Sequence, residues 1–343
     1  MREPWRQLLD PQSVNEPAPT PAALELACTD SGVVCPLPAT GVLHVAGEDA
    51  GTFLQNQLTQ SITDMAATET RLAAWCNPKG RTRAVFRVIP SDTGWVLVAD
   101  AELIRAIQPT LQMFVLRARV ALTDLSDEEG LLGLAGPSAE TLLTETAGSL
   151  PRAVNTMVTA GDLHIVALPA PTGLRYAVLG PLTQIGALWS RYREALTAGN
   201  EAFWQLLDIR SGLPAIDTHT RETFIPTMLN LDALGGIRYD KGCYPGQEVV
   251  ARLHYRGQLK RQMYRLALED AAPDPGAAVL DSDGSEAGTV VAAAPAAEDR
   301  VECLAVLRID RANDGQLTVD GQPATPQPLP YPLPAEADRP AGG

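Results

Sequence analysis

Along this chain the apolar residues switch repeatedly between a strand's period of two and a helix's period near 3.6. Gly41–Ala46 alternates, and Glu48–Leu58 follows with Phe53, Leu54 and Leu58 on one helical face. Strand-like runs then fall at Arg71–Cys76, Arg83–Ile89 and Trp95–Ala99, before a helical stretch at Glu102–Leu116 and a strand at Ala118–Thr123. The pattern returns with strand Leu131–Ala135, helix Ser138–Thr146, strands Leu163–Leu168 and Arg175–Leu179, and helix Leu182–Thr197. The order predicts two α+β units of similar element order, an architectural repeat. No residue-level repeat accompanies the repeated order.

A further helix, Glu201–Arg210, stops before Gly212-Leu213-Pro214. From Gln262 the texture is all β, with short apolar runs (Met263–Leu268, Ala277–Leu280, Gly288–Ala293, Val301–Leu307) separated by Asp-Pro-Gly, Ser-Asp-Gly and Asn-Asp-Gly. The predicted organisation is a Pro/Ala-rich arm over 1–38, α+β units over 39–125 and 126–261, a small β-barrel over 262–321, and a Pro-rich tail over 322–343. The arm reads as an extended lead-in with one short helix near Trp5–Leu9, and the tail as extended and partly mobile.

At 343 residues the chain needs more than one core, and an apolar fraction of 45% supplies them. Its formal charge of −14 disfavours nucleic acid and anionic membranes as partners of the molecule as a whole. Five cysteines, an odd number without C-x-x-C spacing, point to a reducing compartment. The N-terminus lacks the apolar run of a signal peptide or membrane span, and the expectation is a cytoplasmic protein. The four histidines are scattered without ligand spacing, so no resident metal is expected. Walker-type, Rossmann-type and G-x-S-x-G motifs are absent.

One segment departs from the acidic average. Gly235–Arg261, GGIRYDKGCYPGQEVVARLHYRGQLKR, is dense in glycine, which permits positive φ and close backbone approach. From Arg238 to Arg265 seven basic residues stand against two acidic ones, a net +5 that leaves −19 for the rest. Cys243 lies two residues from Lys241, where a cation can stabilise a thiolate. Gln247 and Glu248 follow Pro245-Gly246, a place where a helix can begin and aim amides and polar side chains at one point.

Lys241-Gly242-Cys243-Tyr244-Pro245-Gly246-Gln247-Glu248 resembles the K-G-C-Y-x-G-Q-E signature of the YgfZ family, folate-binding proteins related to the glycine-cleavage T-protein. The same order of motifs continues in Gly212–Asp217, Phe224-Ile225-Pro226, Asn230-Leu231, Leu234–Ile237 and Tyr255-Arg256-Gly257. Upstream, Phe53–Thr59 and Pro78-Lys79-Gly80-Arg81 are similar to the family's first-domain motifs. The resemblance implies two α+β units framing a folate cavity and a C-terminal β-barrel. It implies a tetrahydrofolate or related folate as cofactor, with Trp204, Asp208, Arg210, Tyr244, Gln247, Glu248 and Arg252 as contacts. It implies a reactive Cys243, assisted by Lys241, in iron–sulphur cluster assembly or repair, with the assembly machinery and client iron–sulphur proteins as partners. An association with tRNA modification comes with it.

Two departures qualify that picture. The aminomethyltransferase relatives carry an aspartate pair after the glycine matching Gly80, whereas Arg81-Thr82-Arg83-Ala84-Val85 holds no carboxylate. A positioned acid or base contributes about 10²–10⁴-fold, so the sequence argues against conventional aminomethyl transfer. Arg210 stands where relatives usually have a pterin-binding glutamate, which shifts that role toward Asp208. Arg81, Arg83 and Arg252 are candidates for the folate's anionic tail. The alternative reading is a tetrahydrofolate-dependent aminomethyltransferase or one-carbon transferase, and a third is a tRNA-binding module using the basic stretch.

Overall fold

The computed structural model describes residues 2–9, 19–171, 173–256, 259–312 and 316–333. Its strands are β1 Val33–Pro36, β2 Thr40–Ala46, β3 Arg71–Cys76, β4 Thr82–Ser91, β5 Gly94–Asp100, β6 Ala121–Asp124, β7 Glu129–Ala135, β8 Met157–Ala160, β9 Leu163–Pro169, β10 Leu174–Pro181 and β11 Thr197–Ala198. The barrel strands are β12 Arg261–Glu269, β13 Ala278–Leu280, β14 Glu286–Pro295, β15 Arg300–Arg308, β16 Leu317–Val319 and β17 Gln322–Gln327. The fold is α+β with a closed six-stranded C-terminal barrel, as the sequence predicts.

The first sheet has the order β3-β4-β5-β2-β6 and the second β8-β9-β10-β7-β1-β11. The two share one plan: β3, β4, β5 and β2 of the first correspond in order and connection to β8, β9, β10 and β7 of the second. The repeat is therefore topological, and a fold can repeat where residues do not, because burial pattern and turn geometry set strand order.

The segment before β2 is not extended throughout. Pro21–Asp30 is a helix, N-capped by Thr20 Oγ1, which accepts from the Ala23 amide at 3.3 Å. Val33–Pro36 is an inner strand of the second sheet, paired antiparallel with β7 and parallel with β11. Four consecutive buried residues explain it, since a strand covered on both faces shows no alternation. Near the start, the Glu3–Leu8 helix buries Trp5 completely against the core of the second sheet. At the other end, β17 closes the barrel by pairing with β12, so the residues after Gln322 begin as sheet.

Other boundaries moved for local reasons. The predicted helix 102–116 runs Ala101–Gln112, because the chain turns away and Leu116 takes φ 49°. The predicted helix 182–197 ends at Tyr192, and Thr197–Ala198 becomes the short β11. The strand expected at 118–123 is β6, and β8 is an additional strand.

Three cores hold these parts. One continuous cluster joins the first sheet, the Glu201–Arg210 helix, the inner residues of the second sheet and the contacting barrel face. A second fills the outer face of the second sheet and a third the barrel. The Glu201–Arg210 helix, capped by Asn200 Oδ1 on the Phe203 amide at 2.9 Å, packs on β1, β14 and β15. It is thereby the axle between the second sheet and the barrel.

Candidate functional site

The Gly235–Glu248 chain lies against the end of the Ala50–Gln57 helix. Thr59 Oγ1 donates to the Gly236 carbonyl at 2.7 Å, the Gln60 side-chain amide donates to the Gly235 carbonyl, and the Arg238 amide donates to the Thr59 carbonyl at 2.9 Å. The last carbonyls of a helix have no partner within it. Here Lys241 Nζ reaches them, donating to the carbonyls of Gln55, Leu58 and Gln60 at 2.5, 2.6 and 3.0 Å. Three acceptors use all three ammonium protons, and a neutral amine has only two to give. Burial nonetheless pulls the Lys241 ammonium down to about 8. Lys241 is thus the strap that holds the loop; its protons are committed to backbone.

The strap leaves Cys243 exposed, and it is the one exposed cysteine of the five. Tyr244 beside it is buried, its ring centroid 5.2 Å from Lys241 Nζ, and burial lifts its phenol well above the ordinary range. The turn at Pro245-Gly246 then seats on the β3–β4 hairpin. Gly246 has φ 80°, and a Cβ there would stand 2.5 Å from the Asn77 carbonyl oxygen and 2.6 Å from Gly80 Cα. The Gln247–Arg256 helix starts at this contact, as predicted. Gln247 is half-buried, and Glu248 and Arg252 are exposed. The motifs around Pro78–Arg81 and Lys241–Glu248, far apart in sequence, therefore meet backbone to backbone.

Trp204, Asp208 and Arg210 form a separate group on the Glu201–Arg210 helix. Trp204 is buried against Gly133, where a Cβ would lie 2.5 Å from the indole. The guanidinium of the fully buried Arg175 lies 4.2 Å from the indole centroid, donates to the Trp204 carbonyl at 3.3 Å and to that of Pro169 at 2.9 Å, and pairs with Asp208 Oδ1. Cation–π contact of this kind is worth about 0.5–2 kcal/mol. The indole is occupied by a side chain of its own protein. Asp208 keeps its second carboxylate oxygen, and its side chain is about one-third exposed (34%).

Arg210 faces the other way. It pairs with Glu25 at 2.9 Å and Glu302 at 2.8 Å, tying the Pro21–Asp30 helix to the barrel. A guanidinium between two carboxylates is satisfied, and the cofactor contact expected of it is replaced by a structural one. Arg83, a candidate for an anionic tail, pairs with Glu222 at 2.7 Å and lies 4.9 Å from the Trp75 ring centroid. Arg81 donates to the Thr223 carbonyl at 2.5 Å. Arg83 holds the Glu222 carboxyl below its ordinary range, so Glu222 brings a carboxylate to this region as a weak base.

Arg87 and Arg175 escaped the sequence reading. Arg87 Nη1 donates to Thr70 Oγ1 at 3.0 Å and Asn155 Oδ1 at 2.8 Å, joining the first sheet to the second unit. Burial lowers its guanidinium to about 10, partly offset by the field of Asp208, and Arg175 adds a like charge. A signal existed: Arg87 shares strand parity with Val85 and Ile89, and Arg175 with Ala177 and Leu179, all buried. A cation at an inward position asks for a partner. Asp208, Arg87 and Arg175 thus form a charged cluster between the units, whereas the Cys243 segment sits at the hairpin end of the first sheet.

Comparison with known proteins accords with this architecture. Residues 26–167 match the GCVT N-terminal domain family, and residues 260–331 match the CAF17 C-terminal β-barrel domain family. The chain is 33% identical over 301 residues to the tRNA-modifying protein YgfZ of Edwardsiella ictaluri, covering 84% of this chain and 89% of that one. It is 30% identical over 306 residues to the tRNA-modifying protein YgfZ of Colwellia psychrerythraea, covering 86% and 92%. The glycine cleavage system aminomethyltransferase T from Bartonella henselae shares the fold, with a TM-score of 0.74 at 16% identity over 90% of this chain and 88% of that one. On this likeness across almost its whole length, joined to the motif order and the two-sheet-plus-barrel plan, the chain belongs to the YgfZ family.

Proposed function

We propose that this protein binds a tetrahydrofolate or a related folate and serves tRNA modification, with the Lys241–Glu248 segment as its working surface. The observation that carries the reading is the union of two distant motifs, Gln55–Gln60 and Gly235–Lys241, into one hydrogen-bonded unit that presents Cys243. The relatives' names supply the tRNA-modification part, and the aminomethyltransferase-like fold favours one-carbon transfer as the chemistry.

The residues fit a folate in chemical terms. A pterin presents N–H donors along one edge, and Asp208 has a free carboxylate oxygen for them. Among the described residues Arg87 donates through Nη1, to Thr70 and Asn155, leaving other guanidinium N–H groups for a carbonyl or an anionic tail. Gln57 has a buried side-chain oxygen without a partner among the described residues. When bound, a tetrahydrofolate would serve as the carrier of a one-carbon unit. Arg175 pairs with Asp208 and fixes its direction, and Trp204 seats Arg175. Arg252, exposed on the helix after the segment, remains available to an anionic group.

Tetrahydrofolate titration of wild type and Asp208→Asn, read by tryptophan fluorescence and calorimetry, tests the folate reading. Saturable binding weakened about tenfold in Asp208→Asn is expected, as the loss of a charge-assisted hydrogen bond. No saturable binding by wild type would sink it. Modified-nucleoside content of tRNA from cells lacking the protein tests the service role.

The exposure of Cys243 among otherwise shielded cysteines favours a second reading. In it the thiol acts in iron–sulphur cluster assembly or repair, as nucleophile or transient ligand, with assembly proteins and clients as partners. Unaltered iron–sulphur enzyme activities in Cys243→Ala cells would remove that role.

A further inference from the structure

The helix that leaves the cysteine segment carries an aromatic cluster that neither reading uses. The rings of Tyr239 and His254 are stacked, 3.8 Å between centroids and 12° apart. Tyr255 stands edge-on to both, at 4.8 Å from His254 and 6.0 Å from Tyr239, and is 65% exposed. A tyrosine this open gains nothing from core burial. Its ring is held upright by two neighbours, so presenting it costs little further conformational entropy.

The cations around the cluster are also unusual for this protein. Most arginines of this acidic chain are paired with carboxylates, as Arg71, Arg83, Arg105, Arg175 and Arg210 are. Arg252, one helical turn before Tyr255, is exposed and has no ion pair among the described residues, and neither has Lys79. Lys79 belongs to the same surface, because the neighbouring Gly80 packs on Val249, one turn before Arg252. Of the chain's three lysines, Lys79 lies on the hairpin against this helix and Lys241 in the strap that precedes it.

Upright aromatic rings flanked by unpaired cations are the chemistry that recognises unstacked bases on a phosphate backbone. We propose that Tyr255, with the Tyr239–His254 stack behind it and Arg252 and Lys79 beside it, binds a single-stranded segment of RNA, the class of site that a tRNA loop offers. This rests on the tRNA-modification reading and gives it a contact surface. The −14 charge of the whole protein opposes general polyanion binding. The surface is therefore suited to a short, locally engaged segment whose bases contribute to the affinity.

Fluorescence anisotropy of the full-length protein with a labelled, unmodified tRNA transcript tests this, with a fully paired RNA duplex and polyglutamate as competitors. Wild type is expected to bind saturably and to prefer the transcript to the duplex. Tyr255→Ala should weaken binding about tenfold, since stacking is worth about 1–3 kcal/mol per base. Arg252→Ala should lower the magnitude of the salt slope by about 0.7, the value for one phosphate contact on a single strand. Each variant is checked for folding by its melting temperature and its circular-dichroism spectrum. If wild type does not bind the transcript, binds duplex or polyglutamate equally well, or is matched by a folded Tyr255→Ala, the proposal is overturned. Loss of folate binding with RNA binding intact would strike the folate reading alone.

Discussion

Replacing Lys241 by Met removes the strap while keeping most of its aliphatic volume. Three hydrogen bonds to a charged donor, at 2.5, 2.6 and 3.0 Å, disappear. At roughly 1.5–3 kcal/mol each, the gross loss is about 5–9 kcal/mol. Against this, holding an ammonium in a site that lowers it from 10.5 to about 8 costs about 3 kcal/mol at neutral pH, and Met relieves that cost. The net expectation is a destabilisation of roughly 2–6 kcal/mol, lowering the melting temperature by about 5–15 °C in a unit of this size. Thermal unfolding followed by circular dichroism measures it. Hydrogen exchange should accelerate over 55–60 and 236–244, the two sides of the strap. The pH dependence has a definite sign. Between pH 8 and 10.5 native Lys241 has lost its proton and unfolded Lys241 has not, so the unfolded chain binds more protons and wild-type stability rises with pH relative to Lys241→Met. A melting temperature within 1 °C of wild type, with unchanged exchange at 55–60, would refute the strap.

Gly246→Ala meets both a φ of 80° and the Asn77 carbonyl oxygen at 2.5 Å, and should cost about 2–4 kcal/mol in chemical denaturation, with loosened packing at Val249. Glu201, which accepts from the Ala39 amide at 2.9 Å, is raised from 4.5 to about 7 by burial. The native protein therefore holds the extra proton between those values, and wild-type stability should fall relative to Glu201→Gln as pH rises from 4.5 to 7, with the gap vanishing below 4.5; parallel urea midpoints across that range would exclude the shift. Iodoacetamide on the native protein should modify Cys243 first and half-buried Cys28 more slowly, while Cys76 and Cys303, both pushed up to about 12 by burial, react only after unfolding. Peptide mapping by mass spectrometry reads that order.

Much of the plan was legible in the chain. The alternation of β2, the short apolar runs of β3 to β5, the amphipathic helices that flank them and the Ser-Asp-Gly turn at 282–284 state their structure locally, because side-chain period and turn chemistry act over a few residues, while the Asn-Asp-Gly turn lies outside the described residues. Val33–Pro36 did not, since a strand buried on both faces carries no alternation and its proline-rich surroundings suggested a free arm. Asp208 offers a carboxylate where Arg210 does not, yet nothing adjacent in sequence announced that Arg175 would claim half of it.

By itself the sequence determined the element types, the two similar α+β units, the barrel, the concentration of positive charge around Cys243 and the family to which these motifs belong. These follow from short-range periodicity, residue chemistry and a long contiguous motif. Only the tertiary structure decided what each cation does. Lys241 became a strap because three carbonyls, in the last turn of a helix and the chain just after it, lie within reach of its ammonium, 181 to 186 residues away in the chain. Arg210 became a brace because Glu25 and Glu302 arrive from two other elements, whereas no carboxylate among the described residues pairs with Arg252. A charged side chain is defined by the partners that folding brings to it, and those partners are set by long-range topology rather than by its neighbours in sequence.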